Sequence, residues 1–201
     1  MRSLAFIVVI GLLVLSSGCF QATIKEKDPD ASLHYDAEYD YTDLHQFTVK
    51  LSDSLSKSKP ISEAKSKPII VDYGIDNHTS EHIDMKAITD AIRKELIAKD
   101  QVDFVNITRR DDINIEADYM YSGKVDPSKR IVLGKQLGAD YMLTGTMYSI
   151  KKKQPKQFRL KRKELNWYKL TLELTNIETS VIEWTDEVEI AREIGKPLIG
   201  W

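Results

Sequence analysis

A single cysteine, Cys19, stands in a chain of 201 residues. No internal disulfide is therefore available, and whatever folds must hold itself together by burying apolar side chains. The surroundings of Cys19 are equally restrictive. Met1-Arg2 places positive charge at the start, Leu4 to Leu15 (LAFIVVIGLLVL) is an unbroken apolar run, and Ser16-Ser17-Gly18 leads directly into the cysteine. Such a run rises about 18 Å as a helix, well short of a hydrocarbon core of about 30 Å, so it reads as a signal peptide. A cysteine placed directly after small residues is what lipoprotein processing requires, because its thiol takes a diacylglyceryl group before cleavage. Residues 1–18 are expected to be removed and Cys19 to carry lipid. Phe20, where inner-membrane lipoproteins typically have aspartate, favours delivery to the outer membrane, with the protein facing the periplasm.

Residues 19–41 show no apolar periodicity. Asp28, Asp30, Asp36, Glu38 and Asp40 outnumber Lys25 and Lys27, and such a segment buries too little surface to offset its ordering entropy. It is predicted to be a disordered tether with an extended limit of about 75 Å. Residues 42–190 are expected to form one periplasmic domain, followed by a C-terminal tail at 191–201.

Within that domain, Leu44, Phe47, Leu51 and Leu55 recur at helical spacing. Pro68 opens a strand from Ile69 to Ile75, with Ile69, Val71, Tyr73 and Ile75 on one face. Asp84 can cap a helix carrying the stripe Met85, Ile88, Ile92 and Leu96. A short strand is predicted from Val102 to Ile107, and 108–125 reads as irregular. Asp126, Pro127 and Gly138 mark the cap, first turn and stop of another helix. Strands follow at Tyr141–Ile150, around Tyr168–Leu174 and at Ile182–Ile190, the last two alternating polar and apolar residues across a tight connection at Glu178-Thr179-Ser180. A strand-helix-strand opening favours parallel pairing and a closing meander favours antiparallel pairing. The expected fold is α/β: a mixed sheet of about five strands packed by helices.

Chemistry is sparse. His78-Thr79-Ser80-Glu81-His82 fits H-x-x-E-H, which on a helix would offer two histidines to zinc and a glutamate to water. Here it lies in a loop, which makes a zinc hydrolase the remote alternative. There is no catalytic thiol, G-x-S-x-G or glycine-rich phosphate loop, so no enzyme, cofactor or metal is expected. The run from Lys151 to Lys163, with Lys152, Lys153, Arg159, Lys161 and Arg162, joins two strands and forms a basic hairpin tip. Nucleic acid is not an expected partner in the periplasm, whereas acidic protein surfaces, lipid headgroups and cell-wall carboxylates are available there.

Three strings carry a family resemblance: Asn77-His78-Thr79-Ser80-Glu81-His82-Ile83-Asp84, Leu137-Gly138-Ala139-Asp140-Tyr141-Met142-Leu143-Thr144-Gly145, and Ile182-Glu183-Trp184. Over about Pro68 to Glu189 the chain resembles the LpoB family, outer-membrane lipoprotein activators of bifunctional penicillin-binding proteins. The G-A-D-Y string also recurs in domains similar to the N-terminal part of TolB, so a TolB-like or secretion-assembly scaffold is the alternative. Two positions depart from the family pattern: His78, where arginine is more common, and Ser180, where a turn glycine is. The resemblance implies a non-enzymatic protein that binds the periplasmic domain of such a synthase and raises peptidoglycan synthesis. Because function concentrates on loops held by a rigid scaffold, the candidate partner-binding residues are Asn77, Thr79, Ser80, Glu81 and His82, then Lys152, Lys153, Arg159, Lys161 and Arg162.

Overall fold

The computed structural model describes residues 26–28, 31–32, 34–131, 138–153 and 161–197, with side chains undescribed at 161, 162, 196 and 197. The chain divides into two units, Met1–Ala31 and Ser32–Trp201. The fold belongs to the second. The expected signal peptide, the Cys19 lipid site and Arg159 lie outside the described residues, and no described helix is long and apolar enough to cross a membrane.

Helix α1 (Tyr41–Lys57) begins on a reciprocal capping box: the Asp40 carboxylate accepts from Asp43 N–H and the Asp43 carboxylate from Asp40 N–H. It buries Phe47, Leu51 and Leu55 completely. A short helix, α2 (Lys59–Ser62), leads to strand β1 (Ile69–His78). Helix α3 (Met85–Ala98) starts where expected, with Asp84 accepting from Lys86 and Ala87 N–H, and buries Ile88, Ile92 and Leu96. After β2 (Asp103–Val105) comes α4 (Arg110–Tyr121), then β3 (Tyr141–Lys153), β4 (Lys161–Asn176) and β5 (Ile182–Pro197). The sheet order is β2-β1-β3-β4-β5. Both β2 and β3 pair with β1 in parallel, while β4 and β5 add antiparallel. The five-stranded mixed sheet is therefore as expected.

Helices α1 and α3 cover one face. Against them lie Ile70 of β1, Leu143 and Met147 of β3, and Tyr168, Leu170, Leu172 and Leu174 of β4. Tyr148, Ile150 and Leu165 point the other way and are substantially exposed, as the period-two alternation dictates.

Several elements differ from expectation. Of the row Ile69, Val71, Tyr73 and Ile75, Val71 is buried and Ile75 packs against the core, but Ile70 on the opposite row is buried completely and Tyr73 is exposed, a bulge between Asp72 and Ile75 having broken the alternation. Gly74 takes φ +89° there, its N–H held by the Asp72 carboxylate. Beyond the bulge β1 continues to His78, which pairs with Tyr148. Residues 110–121 are helical rather than irregular. That helix buries only Ala117 and leaves Ile113, Ile115, Tyr119 and Tyr121 exposed, so no apolar stripe marks it in the sequence. Asp126 does cap at Ser128 N–H, but the helix is a single 3₁₀ turn, Pro127–Lys129, after which Arg130 is extended; residues 132–137 lie outside the described set. Strand β5 continues past Ile190 to Pro197, taking in residues assigned to the tail. At the β4–β5 connection, Asn176 Oδ1 accepts from Glu178 and Thr179 N–H and Ser180 takes φ +59°. The asparagine supplies the turn chemistry that the Glu178-Thr179-Ser180 string lacks.

Candidate functional site

Because β1 and β3 are parallel neighbours, their carboxyl ends lie at the same end of the sheet. The β1–α3 loop and the stem of the basic β3–β4 hairpin meet there: Ser80 N–H donates to Ser149 Oγ at 3.1 Å. Two groups of candidates far apart in sequence thus share one end of the molecule.

The loop is braced from within. Asn77 Nδ2 donates to the Glu81 carbonyl at 3.0 Å, and Asn77 Oδ1 accepts from Thr79 N–H at 2.9 Å. Thr79 Oγ1 lies within reach of Asn77 Oδ1 and accepts from Glu81 N–H. Asn77 and Thr79 therefore hold the loop's shape, which accounts for their spacing without a ligand.

Glu81 turns inward. Its carboxylate accepts from the Tyr168 hydroxyl and, at 3.3 Å, from Tyr39 N–H, and pairs with Lys151 Nζ at 2.8 Å. Its side chain is only 15% exposed, with the carboxylate engaged within the fold. Burial, reinforced by the bond and charge of Glu81, pushes the Tyr168 phenol far above its ordinary value. The Lys151 ammonium is held above its usual value chiefly by its hydrogen bond to Glu81, then by that to Glu38, against a desolvation that opposes it.

Ser80 and His82 remain exposed, as do Lys152 and Lys153, with Lys153 3.8 Å from Glu164. His78 stacks on Tyr148 across the ladder, ring centroids 5.2 Å apart and 15° from parallel. With Glu81 inward and His78 on the strand against Tyr148, the H-x-x-E-H side chains serve separate contacts. Among the described residues no group of three His, Cys, Asp or Glu is placed to hold a metal. Lys161 and Arg162 lie on β4, opposite Pro197 and Lys196, but their side chains are outside the description.

The partners of this cluster that sequence reasoning missed come from the segment assigned to the tether and from the tail. Ala37 is buried and its carbonyl accepts from Asn166 Nδ2 at 2.9 Å. Tyr39 stacks on Phe47 at 6.3 Å and meets Tyr168 edge-on at 6.2 Å. Lys151 also pairs with Glu38 at 3.1 Å. Arg192 donates to the Glu38 carbonyl at 2.7 Å and pairs with Asp40 at 3.2 Å and with the fully buried Asp43. His34 Nδ1 lies 2.6 Å from Asp40. One signal was available: Asn166 and Tyr168 fall on the apolar-facing row of β4, and buried polar atoms require partners.

A family model described as "Peptidoglycan-synthase activator LpoB" matches residues 43–190. No curated protein sequence matches the chain. Among solved structures, the C-terminal domain of LpoB from Salmonella enterica is 13% identical, with 74% of this chain and 98% of that one covered at a TM-score of 0.45. The same domain from Escherichia coli is 12% identical, with 72% and 97% covered at 0.43. Lipoprotein GNA1162 from Neisseria meningitidis is 11% identical, with 63% and 83% covered at 0.39.

Proposed function

The chain belongs to the family of the peptidoglycan-synthase activator LpoB, and from that membership we propose that it is an outer-membrane lipoprotein that docks on the periplasmic domain of a bifunctional penicillin-binding protein and stimulates its glycan polymerisation. The observation that carries this reading is the extent of the family match. Residues 43–190 include nearly the whole sheet, both covering helices and the end where the β1–α3 loop meets the basic stem. Activation without catalysis requires only that the domain bind the synthase's active conformation more tightly than its inactive one; that difference in affinity shifts the population.

In this reading the surface offered to the synthase is Ser80 and His82 with Lys152 and Lys153, extended by Arg159, Lys161 and Arg162 along the hairpin. Asn77, Thr79 and Glu81 give the loop its shape. Cys19 carries the lipid, so that synthesis answers to the position of the outer membrane.

The test uses the full-length lipidated protein in detergent with an envelope extract of its own organism. It is expected to retain a bifunctional penicillin-binding protein and to raise that enzyme's rate of glycan polymerisation. Absence of both effects across the organism's full set of such synthases would refute the activator role.

A further inference from the structure

A cavity of about 320 Å³ lies between β1, α3 and the carboxyl end of β2, and none of the docking candidates lines it. That volume suits a ligand of amino-acid size, and open α/β sheets bind ligands at the carboxyl ends of their parallel strands. Ile75, Met85, Val105 and Ile107 give it apolar walls, while Asp72 and Arg93 bring opposite charges. The β1 bulge leaves room there: a Cβ built on Gly74 would meet nothing within 4 Å.

The Asp72 side chain is only 9% exposed, yet it is incompletely satisfied. Its Oδ1 accepts from Gly74 N–H at 2.8 Å, whereas Oδ2 has no hydrogen-bond donor among the described residues. Arg93 Nη2 stands 4.0 Å from Oδ2, too far for a hydrogen bond. Burial is the largest influence on Asp72 and pushes its carboxyl above the ordinary value, against the Gly74 N–H and the Arg93 charge. Arg93 bonds instead to Asp90, whose second oxygen takes Lys86, and it keeps further guanidinium donors. Two carboxylates and two cations therefore border the cavity. A ligand of one sign would be repelled by half of them, and a ligand carrying both signs would not. An α-amino acid holds its ammonium and carboxylate side by side. Laid against the 4.0 Å gap, its ammonium can donate to Asp72 Oδ2 and its carboxylate can accept from Arg93.

We propose that this cavity binds the α-ammonium carboxylate group of an amino acid with an apolar stem, Asp72 taking the ammonium, Arg93 the carboxylate and the walls the stem. The group arrives free or as the free end of a diamino acid in a cell-wall peptide.

Titration calorimetry on the full-length lipidated protein in detergent tests this. The probes are L- and D-norleucine and a stem tripeptide ending in meso-diaminopimelate. Pentylamine and hexanoate, which each lack one charged group of norleucine, serve as controls. Norleucine or the tripeptide is expected to saturate with a Kd of about 1 mM or tighter, and both controls to bind at least about tenfold more weakly. Tighter binding of the tripeptide would assign the group to the cell wall, and tighter binding of norleucine to a free amino acid. Asp72→Asn keeps an oxygen for Gly74 N–H but removes the charge, and Arg93→Gln removes the opposite one. Each should weaken binding by about tenfold with the circular dichroism unchanged. Ile107→Trp, which fills the cavity from its wall, should abolish binding even if a charge variant fails to fold. No saturable heat from any probe, or affinities in Ile107→Trp and the folded charge variants equal to the parent's, would overturn the site.

Discussion

Gly145 stands where three strands press together. A Cβ built there would meet Leu172 Cδ2 at 2.5 Å, Ile75 Cγ1 at 3.0 Å and the Thr171 carbonyl at 3.0 Å. The leucine tip can move, but the carbonyl belongs to the β3–β4 ladder and cannot. Gly145→Val is accordingly expected to lower stability by about 2 kcal/mol or more, the range of overpacked cores, read as a fall in the denaturant midpoint with far-ultraviolet circular dichroism largely kept. A stability equal to the parent's would mean that the sheet spreads at this point. The glycine was visible in the sequence as the end of the G-A-D-Y-M-L-T-G string, but its reason was not, because the crowding atoms come from strands 27 and 70 residues away. Glu81 shows the converse: the sequence offered it as a docking candidate and as part of a remote zinc alternative, and its contacts with Tyr39, Lys151 and Tyr168 were not legible there because all three lie far away in the chain.

Elements with one apolar stripe were legible at the sequence level, and those without one were not. Helices α1 and α3 follow the spacing of Phe47, Leu51, Leu55 and of Ile88, Ile92, Leu96 because each buries a single face. Helix α4 buries little and so leaves no periodic trace. The basic β3–β4 stem was anticipated as an element, although its strands run further than the alternation marks. Exposed charges at such a tip act mainly on encounter rates. Replacing Lys152 and Lys153 together by glutamate is expected to slow association with the synthase several-fold at low salt, with little change in dissociation. The difference should shrink by 0.5 M salt, where screening falls to a few ångströms. Equal association rates in surface-plasmon measurements at low salt would remove the stem from the docking surface.

At the scale of the whole molecule, anchor and domain have separable tasks in the proposed function. Cys19→Ala should leave binding to the synthase in detergent unchanged while abolishing activity in the cell, measured as loss of complementation in a strain lacking the protein; full complementation would show that anchoring is dispensable. The mixed α/β sheet followed from the sequence alone, since parallel or antiparallel order comes from local periodicity and the chain order of the elements. The same local signals marked the Asp84 helix start and the loop and stem as exposed ends. Tertiary structure alone decided that loop and stem share one end, that β1 carries a bulge at Asp72–Ile75, and that Arg192 holds the Glu38 carbonyl and Asp40. Each of these depends on partners more than fifty residues apart in the chain or on a ladder register, and neither leaves a mark in the local pattern of polar and apolar residues.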